Sequence, residues 1–279
     1  MKIPKIKKLI LSGGGIKGIA ICGAIEKLDE QIKLLSTVKT IIGTSVSSYI
    51  AFFLAIGLPI RKIRLIFESI NFSEFQEFDI KLLISKFGLD EGNKFQSFIK
   101  ATMITQNIDP NITFKQLQEI SKYEIIIVGA NITNSKPAYF SAKDTPDMQV
   151  CTAMRISGGY PLAFTPIELD GELYADGGLV SPIASELITK KDKKHTLGIV
   201  LHRGYKKCEV NELQEYGLRV ISCLVDSLLD SKLMLLKHYI MISYPINSMD
   251  LDIGKEDKIK MVECGKLKAE EWIKHFSEK

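Results

Sequence analysis

The chain has 279 residues, a formal net charge of +4, and 46% hydrophobic against 25% charged residues. That is the composition of a folded globular protein, and so small a basic excess excludes electrostatic capture of nucleic acid as its main activity. The five cysteines are scattered and form no CxxC pair, which excludes a disulfide framework or a cysteine zinc site and fits a reducing compartment.

In chain order, the N-terminal stretch MKIPKIKKLIL is basic, but its apolar run ends at Ser12, too short for the core of a signal peptide. The expected location is therefore cytoplasmic, with peripheral contact at membranes at most. KLIL (8–11) predicts a buried strand that runs directly into GGGIKG and then a helical segment. VKTIIG (38–43) predicts a second strand, followed by the helical SVSSYIAFFLAIG. The apolar run within it, residues 49–58, falls well short of the roughly 20 residues that span a bilayer.

Residues 71–110 read as an irregular, cap-like polar region, and TFKQLQEISK (113–122) as a helix opened by a capping box from Thr113 to Gln116. YEIIIVGAN (123–131) predicts a third buried strand. TPIELDGELYADGG predicts a hairpin turning at Asp170-Gly171. HTLGIVLH (195–202) and YIMISYPI (239–246) predict two more strands, with a helical stretch over 210–238 between them that could break near Gly217 or Asp230. Continuous apolar strands separated by helices predict an α/β fold with a mainly parallel sheet under helices on both faces.

Three short segments carry chemistry. In the first, Gly13, Gly15 and Gly18 match G-x-G-x-x-G between a strand and a helix, where backbone N–H groups face an anion. The second strand ends without the acidic residue a dinucleotide site needs, and Lys17 precedes Gly18, so the Walker pattern fails too. In the second segment, Ser45 stands between a strand and a helix, flanked by Gly43, Thr44, Val46 and Ser47, the context of a nucleophile elbow; alone it also reads as a helix N-cap. The third is Asp176-Gly177-Gly178, which fixes a carboxylate at a strand end and in isolation reads as a turn.

Together, GGGIKG, GTSVS, AMRISGGYPLAFTPI (153–167), DGG (176–178) and the C-terminal VECGKLKAEEWI resemble the patatin-like phospholipase family over roughly residues 8–276. Ser47 departs from the glycine usual at the elbow, and Lys17 stands where arginine is common. The resemblance implies one patatin-like three-layer α/β/α domain over residues 1–279. It implies a lipid acyl hydrolase of phospholipase A or lysophospholipase type, with phospholipids or other lipid esters as substrates. It further implies Ser45 as nucleophile, Asp176 as its base, and an oxyanion hole from Gly13, Gly14, Gly15, Lys17 and Gly18.

No cofactor and no metal is expected, since no run has metal-ligand spacing. Two rivals stay open. One is a Ser-Asp-His esterase using His195 or His202; the other is a phosphate- or lipid-binding module without turnover. The basic runs 2–8 and 190–194 are the sequence's candidates for transient contact with an anionic membrane surface.

Overall fold

A computed structural model describes residues 3–75, 77–203, 210, 213–246 and 252–277; Cys208 and the first residue of the 2–8 basic run lie outside them. The elements follow in order as β1 (Lys8–Leu11), α1 (Gly18–Ile32), α2 (Leu34–Thr37), β2 (Thr40–Thr44), α3 (Val46–Ala55) and α4 (Ile60–Ser69). Next come α5 (Ile80–Lys86), β3 (Gly88–Asp90), α6 (Asn93–Thr105), α7 (Phe114–Ile120), β4 (Glu124–Asn131) and β5 (Lys136–Phe140). They are followed by α8 (Val150–Ser157), β6 (Leu162–Phe164), β7 (Ile167–Leu169) and β8 (Glu172–Asp176). The described chain closes with β9 (Thr196–Arg203), α9 (Leu213–Leu233), β10 (Tyr239–Tyr244) and α10 (Lys255–Ser277).

The main sheet runs β10-β9-β1-β2-β4-β8-β7, with β5 also on β4. From β10 to β4 all pairings are parallel, whereas β5, β7 and β8 add antiparallel pairs. The apolar runs are continuous because both faces are covered. Along β1, Leu9 and Leu11 enter one core with Ile41 and Leu197, while Ile10 enters a second core with Ile42, Val200 and Leu229. On the first face α1 lies against α10 at close range: a Cβ on Gly265 would sit 1.9 Å from the Ala20 carbonyl oxygen. That contact is why the C-terminal segment carries a glycine inside a helix.

Local predictions hold where local chemistry sets them. Thr113 and Gln116 form both bonds of the capping box, and Asp170 (φ 52°) and Gly171 (φ 76°) supply the two positive-φ residues of a tight hairpin turn. Two predictions need correction. Residues 71–110 are not irregular: they carry α5, β3 and α6, with Leu89, Ile99 and Met103 buried and Ile80, Ile84 and Phe87 exposed. And α9 continues through both Gly217 and Asp230, because Leu229 and Leu233 keep its inner face packed on the sheet.

Candidate active site

Strand β4 brings the two distant chemical segments together. β2 pairs with β4 from Thr40↔Glu124 to Thr44↔Val128, and β5 holds the opposite edge over Ile127–Asn131. β8 therefore continues on the β2 edge, starting at Gly129↔Asp176. The carboxyl ends of β2 and β8 meet head-on, which sets Ser45 beside Asp176. The Ser45 hydroxyl donates to Asp176 Oδ2 at 2.6 Å, and the Gly178 N–H donates to Oδ1 at 2.7 Å. Asp176 is 2% exposed. Burial pushes its carboxyl up to about 6, against the Ser45 and Gly178 hydrogen bonds, which pull it down.

Ser45 adopts φ 57° and ψ −129°, a conformation that side chains other than glycine rarely take. The surroundings hold it there. Its N–H donates to Ser157 Oγ at 2.9 Å, and the Ser157 hydroxyl in turn donates to the Val128 carbonyl at 2.6 Å. A Cβ on Gly43 would come within 2.4 Å of the Ser47 carbonyl oxygen, so the tight turn admits only glycine there. Thr44 donates to the Ser181 carbonyl. Ser47, at the position that departs from the family pattern, is buried and donates to the Ser12 carbonyl at 2.7 Å. Its hydroxyl fastens the elbow to the end of β1.

The glycine loop lies over Ser45, but its five named residues face different ways. The Gly13 N–H is spent on the Pro182 carbonyl, and the Gly18 N–H turns back to the Gly15 and Ile16 carbonyls. Gly18 serves packing instead, since a Cβ there would meet Val46 Cγ1 at 2.8 Å. Lys17 is buried, with Nζ 3.5 Å from the His202 carbonyl oxygen and its N–H on the Gly14 carbonyl. Gly14 and Gly15 stand at the start of the helical turn, where N–H groups have no partner within the helix.

The site forms the floor of a cavity that is apolar over most of its lining. Tyr49, Phe75, Phe95 and Phe164 line it together with Val225 and Leu229 of α9. Arg155 braces this wall: Nε donates to the Glu91 carbonyl and Nη2 to the Thr165 carbonyl, each at 2.9 Å. Sequence reasoning missed Ser157, Arg155 and the aromatic lining. A serine next to two glycines looks like a helix end, and the aromatics carry no motif.

Neither histidine of the rival triad contacts the pair by a described hydrogen bond. His195 lies at the amino end of β9, opposite Ser45, with Nδ1 2.8 Å from the Lys5 carbonyl oxygen. The basic runs share that far end, where Lys8 pairs with Asp192 at 3.1 Å. No helix among the described residues is long and apolar enough to cross a membrane.

The fold and sequence are similar to known proteins. The family model "Patatin-like phospholipase" matches residues 9–186. The uncharacterized protein R571 of Acanthamoeba polyphaga mimivirus is 30% identical over 278 residues, covering 94% of this chain and 91% of that protein. The probable lipid hydrolase 463L of Invertebrate iridescent virus 6 is 29% identical over 226 residues, 74% of this chain and 76% of the relative. Among solved structures, VipD from Legionella pneumophila superposes with a TM-score of 0.75 at 18% identity, over 98% of this chain and 67% of that one. Glycine loop, serine elbow and Asp-Gly-Gly turn thus stand in one site of a fold shared with these proteins, and the chain belongs to the patatin-like phospholipase family.

Proposed function

We propose that the protein is a lipid acyl hydrolase of phospholipase A or lysophospholipase type, with residues 1–279 acting as one patatin-like domain. The observation that carries this reading is the 2.6 Å hydrogen bond from Ser45 to a buried carboxylate at the floor of an apolar cavity. The family and the name of the viral relative support a lipid substrate. An acyl chain fits among Phe75, Phe95 and Phe164, where each buried methylene contributes about 0.8 kcal/mol.

In this mechanism Asp176 accepts the Ser45 proton as Oγ attacks the ester carbonyl carbon. The carbonyl oxygen becomes an oxyanion facing the Gly14 and Gly15 N–H groups, and a donor of this kind is worth about 3 kcal/mol in the transition state. Collapse breaks the bond to the alcohol, which leaves with the proton held by Asp176. Water then attacks the acyl-serine and gives Asp176 a proton. When that second tetrahedral state collapses, the proton returns to Ser45 Oγ and the fatty acid leaves. Burial serves the base. A carboxylate raised to about 6 is a better proton acceptor than one in water, yet it remains ionised at neutral pH.

The test compares Ser45→Ala, Asp176→Asn and His202→Ala on a soluble nitrophenyl ester and a phospholipid panel, with circular dichroism to confirm folding. Ser45→Ala and Asp176→Asn are expected to lose at least about a thousandfold in kcat, and His202→Ala to stay within a few-fold of wild type. A folded His202→Ala protein as inactive as Ser45→Ala establishes the triad instead. Lipid binding without hydrolysis by the wild type establishes a binding module.

A further inference from the structure

Phe75, Tyr160, Phe164 and Val225 line the cavity and remain half-exposed, so it opens between residues 72–75, the 160–164 segment and α9. Two exposed apolar stripes lie on α9, which lines the cavity, and on α5, which leads into β3. On α9, Tyr216, Val220 and Leu224 recur at i, i+4 and i+8 and are 60%, 42% and 68% exposed. Between residues 216 and 229 the fully exposed side chains of α9 are uncharged and its two charged residues, Arg219 and Asp226, are half-buried, whereas the outer face of a helix on a globular protein normally carries charges. Ile80, Ile84 and Phe87 of α5 and its C-cap recur at i, i+4 and i+7, with exposures of 71%, 83% and 62%.

The two stripes are linked through packed elements of the cavity wall. Tyr160 and Ser222 hydroxyls lie 3.2 Å apart, and Gly217 packs on the Leu162 side chain, so α9 rests on the segment leading into β6. β6 pairs with β3, and β3 directly follows α5. Six exposed large apolar side chains thus lie on α9, which lines the cavity, and on α5, which leads into its wall, more than isolated surface hydrophobics account for.

We propose that this pair of stripes seats the protein on a lipid surface with the cavity opening facing the acyl layer. The inference goes beyond the hydrolase reading and rests on it for the identity of the occupant. A protein or second copy seated on both stripes would cover the opening. A lipid surface instead fills it with substrate, and the chain enters the cavity without crossing water. The α5 stripe also has the make-up of an interfacial helix, with exposed Lys81 between Ile80 and Ile84. The basic runs at the amino ends of β1 and β9 face away from this surface.

The experiment is flotation with vesicles of phosphatidylcholine, alone or mixed with phosphatidylglycerol, using wild type, Ile84→Glu and Leu224→Glu. The same preparations are assayed for vesicle-lipid hydrolysis and for hydrolysis of a soluble nitrophenyl ester. Each charged variant is expected to lose about tenfold or more in vesicle binding and vesicle hydrolysis, while its soluble-ester turnover stays at the wild-type level. Wild-type flotation that the variants retain in full overturns the proposal. So does a wild type that turns over the soluble ester but does not float, or a wild-type dimer in light scattering that the variants dissociate. A wild type that floats yet cleaves no ester leaves the docking surface standing and removes the hydrolase reading.

Discussion

Ser45 is held in a backbone conformation that costs about 1–3 kcal/mol, and Asp176 carries a charge that burial disfavours; both strains fall on the two groups that would do the chemistry. Two predictions follow from this pairing. Asp176 binds its proton more tightly folded than unfolded, its carboxyl rising from 3.8 to about 6. Its contribution to stability is therefore full below pH 3.8 and is lost as pH rises to about 6, at most about 3 kcal/mol by linkage. Asp176→Asn should accordingly melt higher than wild type above pH 7 and no higher at pH 4, while wild-type kcat/KM should rise with pH to a plateau with an inflection near 6. A flat activity profile between pH 5 and pH 8 would remove Asp176 as the base. Ser157 holds Ser45 by its backbone, without touching the reacting atoms in this arrangement. Ser157→Ala leaves the Ser45 N–H and the Val128 carbonyl without their partner, so stability should drop by about 1–3 kcal/mol. A shifted nucleophile should lower kcat about tenfold or more with little change in KM, and Ser157→Thr should recover part of it.

Besides apolar contact, a buried charge network joins three of the helices. Glu26 on α1 is 6% exposed and is held by Arg64 of α4 at 2.9 Å and by Lys266 of α10 at 3.7 Å. Arg64 also reaches Glu68 one turn along its own helix. The network ties three helices of one layer together on the far side of the sheet strands from α9. Arg64→Ala leaves Glu26 with only the longer Lys266 contact, and a buried carboxylate that loses its partner is costly. The expected loss is about 2 kcal/mol, or about 5 °C in Tm, with ester turnover per folded molecule unchanged. Thermal unfolding measured beside activity separates the two. A loss of kcat without loss of stability would mean that this helix layer reaches the site.

For the molecule as a whole, the division of labour is between a sheet that carries Ser45 and Asp176 and an added cluster that shapes the cavity. Residues 72–105 contribute Phe72, Phe75 and Phe95: the Phe95 ring meets Phe72 at a tilt and meets Phe75 and Tyr49 of α3 edge-on. If the proposed hydrolase reading holds, chain-length preference belongs to this cluster and not to the glycine loop. Phe75→Trp fills part of the cavity and should lower kcat/KM for long-chain esters about tenfold relative to short-chain ones, with the short-chain rate kept. A chain-length series of nitrophenyl esters reads this directly, and an unchanged profile would place the acyl chain elsewhere.

The sequence by itself determined the features that rest on local backbone constraint. Its continuous apolar runs are the strands covered on both faces, Thr113 and Gln116 cap α7, and Asp170-Gly171 turns the hairpin. The glycine loop, the strand–Ser45–helix turn and Asp176-Gly177-Gly178 were legible for the same reason, because few residue types fit such turns. Tertiary structure decided the rest. Ser45 and Asp176 are separated by 131 positions, and they meet only because β2 and β8 share one edge of β4. Only the fold spends the Gly13 N–H on Pro182 and leaves Gly14 and Gly15 at the helix start. Only the fold turns residues 71–110 into an aromatic wall, since apolar side chains spaced along short helices acquire a common direction once a sheet and a cavity give them something to face.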